Sequence, residues 1–355
     1  MSSWPNYDSI VQSNYETFDG FHSLGMIKKH RPDIQLISLQ GHTIQDKNFD
    51  WLEIMIDQAL ESGKKAAIIV WDEDWMWPHN QQLYDVLNSY EHDPVWWITQ
   101  TNRLEEWHHY RGLKIKVLEV QWWPLNDCLS YRELYQPTVH SADSAHNYLC
   151  MLGRYEPHKY ELGKKLYSAG LSKKGLTTVA YPDQYPQDHQ EWSTVNPIKL
   201  YPSVSRSGYG KTRANSKKAN TWVSGNVENF LSLETQFKDI PLMINPDSGF
   251  GLFFLTEKLV WPPLLGKLFL IYGRPHIMQM IQRFWDVDIS SYANLEFDSI
   301  LDNQDRLDSM VDTNRDLIKD CQDIWRKLQP ELEQARWTIG QNFYNFAIRQ
   351  LDLIH

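Results

Sequence analysis

The chain of 355 residues has few cysteines and no long apolar segment, and both absences exclude whole classes of protein. Its three cysteines, Cys128, Cys150 and Cys321, are far apart and form no Cys-x-x-Cys or Cys/His pattern. A disulfide framework or a cysteine-based zinc site is therefore not indicated. No apolar run approaches the ~20 residues that cross a bilayer, and the start, MSSWPNYDSI, lacks a signal-peptide pattern. We therefore expect no membrane insertion and a cytoplasmic location.

The chain also lacks an excess of positive charge. Its formal net charge is −10, and it combines 42% hydrophobic with 23% charged residues, as a packed globular protein does. An acidic chain disfavours nonspecific binding to nucleic acid. Tryptophan, by contrast, is abundant: there are 16, and ten of them lie within residues 1–125.

Strand-like and helical segments alternate through the N-terminal half. Strands are predicted at 34–39, 65–71, 95–99 and 115–120, with helices at 51–60 and 80–90. Strands separated by helices indicate βαβ units and a mostly parallel sheet.

The same pattern restarts after a polar stretch at 136–147. The apolar run 148–152 predicts a strand, and Pro157 to Ala169 predicts a helix, with Gly170 as its cap. A segment rich in Pro, Ser, Gly and Asn predicts a long loop or insertion at 181–225. Further strand-like segments are predicted at 230–234, 253–255 and 267–272.

Helical periodicity replaces this alternation from Leu301 onward, and Pro330 predicts a break between two helices. The resulting fold class is α/β, with two Rossmann-like domains and C-terminal helices that pack back across them. We place the N-terminal domain at 1–140 and the C-terminal domain at 141–320. The remainder, 321–355, is predicted to be a helix returning towards the N-terminal domain.

The strongest local signal for chemistry is the segment FFLTEKLVWPPLLGKLFLIYGRP at 253–275. It predicts a strand that delivers Thr256, Glu257 and Lys258 to the start of a helix. Helix N-termini carry unpaired N–H groups and a partial positive charge, which suit a phosphate. Lys258 would add a full charge there, and Glu257 would accept hydrogen bonds from ribose hydroxyls. A second strand then ends at Gly273 and Arg274, where ligands of open α/β sheets tend to bind.

This segment resembles the donor-binding signature of GT-B type glycosyltransferases, in particular the fucosyltransferase-like branch and related viral sequences. Their pattern is of the form TEKxxxPxxxGxPxxxxG. The chain matches it with Thr256-Glu257-Lys258, Pro262 or Pro263, Gly266 and Gly273, and departs from it at Leu268-Phe269, where the family often has proline. The match covers about 25 of the 355 residues.

The resemblance implies roles for three residues in the C-terminal half. Arg154 would neutralise the donor diphosphate as it leaves, a task that suits the geometry of a guanidinium group. His158 would contribute to the same donor site, and Glu234 would hold the ribose or the sugar.

The N-terminal half would then bind the acceptor and supply a general base. Asp72 and Asp74 follow a buried strand and are our candidates for that base. They also form a DxD pattern, which binds a divalent metal in the other large glycosyltransferase architecture. We favour the GT-B interpretation, because the alternative leaves the Thr-Glu-Lys segment unexplained, and we expect no cofactor and no essential metal.

The acceptor is open between modified DNA and a glycan. Aromatic side chains such as Trp75 and Trp77 stack on sugars and on bases alike. Residues 199–220 carry six Lys or Arg and no acid, and Lys211 and Arg213 within this segment would contact a polyanion.

The sequence therefore predicts a glycosyltransferase that moves a sugar from a nucleotide-sugar donor to an acceptor hydroxyl. The resemblance to viral sequences makes a hydroxymethylated base in phage DNA one candidate acceptor, and would place the protein in the host cytoplasm, whereas the acidic net charge points towards a glycan or protein acceptor. The alternatives are transfer to a glycan or glycolipid, and an inactive glycosyltransferase-like protein that binds carbohydrate or has a structural role.

Overall fold

A computed structural model describes residues 29–39, 49–70, 80–99, 112–121, 125, 128, 144–195, 237–247 and 257–355. The chain forms two compact units. Unit 1 takes the described residues of Met1–Asn126 and Phe343–His355. Unit 2 takes those of Asp127–Gly251 and Thr256–Asn342. The last helix thus contributes its first part to unit 2 and its final residues to unit 1, whereas the sequence places all of 321–355 in one segment.

Unit 1 contains a parallel sheet and two helices. The strands are β1 (Ile34–Leu39), β2 (Lys65–Val70), β3 (Val95–Thr99) and β4 (Lys116–Glu119), and the helices are α1 (Asp50–Glu61) and α2 (Gln81–Ser89). The four strands pair in chain order, β1-β2-β3-β4, and all pairs are parallel. The predicted strands and helices of this half are confirmed to within one residue at each end.

Both faces of this sheet are apolar, as expected for a parallel sheet. One face packs in a single core with Leu52 and Ile56 of α1 and Leu83 and Leu87 of α2. Its strand residues are Ile37, Leu39, Ala66, Ile68, Val95 and Trp97. The alternate residues are buried as well: Leu36, Ala67, Ile69, Trp96 and Ile98. The connections from β1 to β2 and from β2 to β3 both lead to the next strand on the same side. Because such connections are right-handed, α1 and α2 lie on the same face of the sheet.

An ion cluster ties the end of the chain to the start of β1. Arg31 donates hydrogen bonds to the backbone carbonyls of Leu351 and Ile354, and two more, each 2.8 Å long, to the carboxylate of Asp33. Lys65 Nζ lies 3.3 Å from the same carboxylate. The hydrogen bond from Arg31 holds the pKa of Asp33 well below its ordinary value, so this carboxylate is charged throughout the neutral range.

We expect Asp33→Asn to lower stability near pH 7 by up to about 1 kcal/mol, because the carboxylate is partly exposed. An acid whose pKa is lower in the folded state stabilises the fold above its unfolded pKa of about 4. That contribution is lost as the pH falls towards the folded pKa. Urea denaturation from pH 7 to pH 3 should therefore show the difference between wild type and variant shrinking. The exposed Asp93→Asn serves as a control, and a difference that does not change with pH would contradict the assignment.

Unit 2 contains the second sheet and the remaining helices, apart from the part of the last helix after Asn342, which belongs to unit 1. Its strands are β5 (Tyr148–Leu152), β6 (Gly175–Val179), β7 (Thr194–Val195), β8 (Leu242–Pro246) and β9 (Leu268–Tyr272). Its helices are α3 (Pro157–Ser168), α4 (Glu257–Leu264), α5 (Ile277–Gln282), α6 (Asn303–Thr313), α7 (Arg315–Lys319) and α8 (Gln322–Leu351). The strand order is β7-β6-β5-β8-β9, with every pair parallel. This is a doubly wound, Rossmann-like order in which the direction of winding reverses between β5 and β8.

The sequence predicted only part of this unit. The strand at 148–152, the helix from Pro157 and the strand ending at 272 are confirmed, whereas β6, β7 and β8 were not predicted. The segment 181–225 is not an unbroken loop, because 3-10 turns at 182–184 and 187–191 precede β7. The rest of that segment, and the predicted strands at 230–234 and 253–255, lie outside the described residues.

The predicted helix break at Pro330 is wrong, since α8 continues through this residue. Pro330 removes the N–H that would bond to the carbonyl of Arg326. Both residues are exposed, so water can take over the released carbonyl, while Trp325 and Leu332 are buried on the packed side. In the described part of the chain, no helix is both long enough and apolar enough to span a membrane.

Glycines in the left-handed conformation end α3 and α4. Gly170 has φ +73° and Gly266 has φ +62°. At Gly266 the backbone N–H of Lys267 bonds to the carbonyl of Pro262, and the Gly266 N–H bonds to that of Pro263. This is a Schellman cap, which turns the chain from helix to strand. The predicted cap at Gly170 is confirmed, and Gly266, which also belongs to the glycosyltransferase-like pattern, has a purely local structural reason to be glycine.

Gly266→Ala should lower the free energy of unfolding by about 1 kcal/mol, since a Cβ disfavours positive φ. No steric clash adds to this cost, because a Cβ at Gly266 would have no atom within 4 Å. Gly153→Ala is the matched control: it also has open space around it, and its φ is not in the left-handed region. Chemical denaturation of both variants tests this, and equal losses would contradict it.

Candidate functional site at the carboxyl edge of the second sheet

The reversal between β5 and β8 opens the sheet at its carboxyl edge. These strands pair only near their starts, at Tyr148 with Leu242 and Leu149 with Met243. By contrast, β5–β6 and β8–β9 each pair along five residues. The connections to β6 and to β9 leave in opposite directions, so α3 and α4 start on opposite faces of the sheet. Ligands of open α/β sheets bind in the crevice that such a reversal creates.

A histidine hydrogen bond spans this crevice. His158 Nε2 lies 2.9 Å from the backbone carbonyl of Asp247, the residue that follows β8. Because a carbonyl only accepts, Nε2 carries the proton in this contact. The structure thus places His158 at the predicted edge, where it joins the first turn of α3 to the end of β8.

Arg154 lies in the loop between β5 and α3, and its side chain is exposed. Across the part of the chain that the structure describes, no carboxylate forms an ion pair with its guanidinium. The structure thus shows an exposed guanidinium at the carboxyl edge, and the role that the resemblance implies for Arg154 stays a prediction.

The first turn of α3 holds an ion pair close to Arg154 in the chain. Glu156, the N-cap residue, makes no capping hydrogen bond with its side chain. Its carboxylate instead accepts a 2.6 Å hydrogen bond from Lys159, whose side chain is buried, and lies 3.7 Å from His158 Nε2. Lys159 balances the charge of Glu156, and Asp247 places a second acidic side chain at this edge, so the positive contributions that remain are Arg154 and the partial charge at the N-terminus of α3.

The start of α5 differs from that of α3, because a carboxylate of the protein itself already accepts hydrogen bonds from its N–H groups. The buried side chain of Asp298 accepts hydrogen bonds from the backbone N–H groups of Met278 (3.1 Å) and Gln279 (3.0 Å). Its own carbonyl accepts a third from the His276 N–H at 2.6 Å. Burial raises the pKa of Asp298. These N–H groups are therefore not available to a phosphate of a ligand.

Contacts with buried residues fix the backbone at the end of β9. A Cβ at Gly273 would lie 2.8 Å from that of Asp247, so only glycine allows β8 and β9 to approach this closely. The buried Arg306 donates from Nε to the Gly273 carbonyl at 2.8 Å. Arg274 is also buried, and its Nη2 lies 3.0 Å from Met280 Sδ. Gly273 and Arg274 thus shape this end of the edge, and the Arg274 guanidinium faces the protein interior.

The remaining candidates lie wholly or partly outside the described residues. Glu257 begins α4, and Lys258 follows it in the first turn, although the structure describes neither side chain. Outside the described residues altogether are Asp72, Asp74, Trp75, Trp77, Lys211, Arg213, Glu234 and Thr256. In the described ranges, no three His, Cys, Asp or Glu side chains are grouped so as to hold a metal ion.

Sequence reasoning missed Asp247, Glu156 and Lys159 as members of this edge. Asp247 follows the short apolar run of β8 directly, and a polar residue at that position could have been noticed had the strand been predicted. Glu156 and Lys159 are three residues apart at the start of a predicted helix, which is the spacing of a side-chain pair.

No protein-family profile matches this chain, and no curated protein sequence is significantly similar to it. The resemblance to glycosyltransferases therefore rests on the sequence segment 253–275 alone and stays a prediction.

We expect Asp298→Asn to destabilise the protein by about 2 kcal/mol, because the amide keeps one acceptor and leaves one buried N–H facing its NH₂ group. The control is Asp302→Asn, where an exposed carboxylate caps α6 by accepting from the Asp305 N–H. Asparagine caps as well as aspartate, so this change should cost less than about 0.5 kcal/mol. Urea denaturation compares the two variants, and similar losses would show that Asp298 is not the essential cap.

Proposed function

We propose that this chain is a glycosyltransferase of the GT-B type that uses a nucleotide-sugar donor. The observation that carries the proposal is the exposed Arg154 at the carboxyl edge of a doubly wound sheet, beside the point where the winding reverses. Such an edge is where α/β folds bind nucleotides, and a guanidinium group recognises phosphate through two parallel hydrogen bonds. The resemblance of the segment 253–275 to a donor-binding signature supports the same conclusion.

The donor site would be formed by the starts of α3 and α4. Helix α4 follows β8 and precedes β9, so its N-terminus belongs to the same edge as Arg154 in a right-handed β-α-β unit. Glu257 and Lys258 begin this helix, and our assignment is that Lys258 binds a phosphate while Glu257 binds the ribose. The start of α5, already capped by Asp298, would take no part in phosphate binding.

In this mechanism the bond between the sugar and the diphosphate breaks as the acceptor oxygen attacks the anomeric carbon. Negative charge then grows on the departing phosphate, and a cation fixed beside it stabilises that charge more strongly in the transition state than in the bound donor. Arg154 is assigned this task. A carboxylate, which we assign to Asp72 or Asp74, would accept the proton of the attacking hydroxyl.

The acceptor is assigned to the N-terminal half, either a modified base in DNA or a glycan. Trp75 and Trp77 would stack on it, and Lys211 and Arg213 would contact phosphates if the acceptor is DNA. These two acceptors differ in their response to salt, because binding to DNA releases counterions and weakens steeply as the salt concentration rises.

Arg154→Ala should reduce turnover of the nucleotide sugar by about 100-fold or more, because one preorganised group facing the developing charge is lost. Release of free nucleotide from UDP, GDP, CMP and ADP sugars, with water as the acceptor, measures this without knowledge of the natural acceptor. The matched control is Lys173→Ala, an exposed cation beside the amino end of β6, which should keep turnover within about twofold.

Two results would count against the proposal. If the wild type binds and turns over none of these donors, the chain is not such a transferase, and the inactive alternative stands. If turnover is abolished by EDTA and restored by Mn²⁺, the metal-dependent alternative built on Asp72 and Asp74 replaces ours.

A further inference from the structure

The backbone on both sides of Arg154 is held by two adjacent residues, Gln184 and Tyr185. The Tyr185 hydroxyl donates to the carbonyls of Gly153 and Arg154, at 3.3 and 3.4 Å. The Gln184 side-chain oxygen accepts from the Tyr155 N–H at 3.4 Å. The rings of Tyr155 and Tyr185 meet edge to face, with centroids 5.3 Å apart. All of residues 153–155 are thus held, while the Arg154 side chain remains exposed.

Tyr185 is suited to act as a permanent donor in this position. Its side chain is buried, and burial raises the pKa of the phenol above its ordinary value. The hydroxyl group therefore keeps its proton throughout the neutral range. Each hydrogen bond is long, but the ring contact with Tyr155 and the Gln184 contact act on the same short loop.

The segment that carries Tyr185 is itself anchored to α3. The Trp192 ring packs directly on the helix at Gly163, where a Cβ would lie 2.2 Å from a ring carbon. His189 lies between the Tyr185 and Trp192 rings, with centroids at 5.7 and 6.3 Å, and its Nδ1 contacts the Pro186 carbonyl at 2.7 Å. Residues 182–192 therefore contact both α3 and the Arg154 loop, and we call this segment the brace.

We propose that Tyr185 is a positioning residue that holds the Arg154 loop in the geometry needed for catalysis. The proposal rests on the proposed function, because it assumes that Arg154 acts on the leaving group. A cation stabilises a transition state best when its position is set before the reaction, and small displacements of such a group lower the rate strongly. In the described ranges no ion pair orients the Arg154 guanidinium. The contacts to the backbone of residues 153–155 therefore set the position of the Arg154 Cα, from which the side chain extends.

The test is a double-mutant cycle between Tyr185→Phe and Arg154→Ala, measured as nucleotide release from the donor that the wild type turns over. Tyr185→Phe removes only the hydroxyl and should lower kcat about tenfold, with the KM for the donor changed by less than about twofold. In the Arg154→Ala background, the same change should alter kcat by less than about twofold, because the group being positioned is absent.

Tyr90→Phe is the matched control. The Tyr90 hydroxyl donates a 2.9 Å hydrogen bond to the carboxylate of Asp57, and both residues belong to unit 1, so the same chemical change leaves the brace and residues 153–155 intact. Loss of this hydroxyl should leave kcat unchanged in both backgrounds. A tenfold loss that Tyr185→Phe also causes in the Arg154→Ala background would overturn the positioning role and indicate a general structural one.

Hydrogen–deuterium exchange separates failure of this inference from failure of the proposed function, because it needs no substrate. Amide exchange in 153–156 should be at least about threefold faster in Tyr185→Phe than in the wild type and in Tyr90→Phe. If the wild type turns over no nucleotide sugar, the transferase assignment fails, and faster exchange still supports the bracing. Equal exchange in all three proteins would overturn the bracing whatever the activity.

Discussion

The separation of β5 from β8 is the constraint on which the carboxyl edge of unit 2 depends. The two strands share backbone hydrogen bonds only near their starts, since the chain leaves β5 towards β6 and leaves β8 towards β9. Right-handed crossovers then send the following helices to opposite faces of the sheet. At the edge between the two strands, His158 joins α3 to the end of β8 through one hydrogen bond to the backbone of Asp247.

Among the described residues, Asp298 and Arg306 are buried and hydrogen-bonded inside the protein, whereas Arg154 is exposed. Asp298 caps α5, and Arg306 donates to the carbonyl of Gly273 and to the backbone at Ile300 and Leu301. Buried charges must be paired or hydrogen-bonded in this way, because the loss of hydration is otherwise too costly. Arg154 needs no such partner, because its exposed side chain is solvated by water.

Local sequence patterns predicted the elements whose ends are marked by residues within the element itself. The strand 148–152 was predicted to the residue, and Pro157 and Gly170 marked the two ends of α3, because proline suits a first helical turn and glycine a left-handed cap. Local patterns did not predict β8, because the five residues between Pro241 and Asp247 are too few to show a periodic pattern. They also gave a wrong helix break at Pro330, because burial of the neighbouring turns stabilises the helix by more than the one lost hydrogen bond costs. Short buried strands are identified by their neighbours in the sheet, and those neighbours are distant in sequence.

The sequence by itself determined the alternation of strands and helices, the parallel sheets that this alternation implies, and Arg154 and His158 as candidate residues after β5. It could not show that Asp247 meets His158, that Asp298 already occupies the start of α5, or that Tyr185 braces the loop of Arg154. Each of these contacts joins residues that are between 19 and 89 positions apart, such as Asp298 with Gln279 and His158 with Asp247. Only the strand order brings such residues together, because it is set by packing across the whole sheet rather than by any local preference.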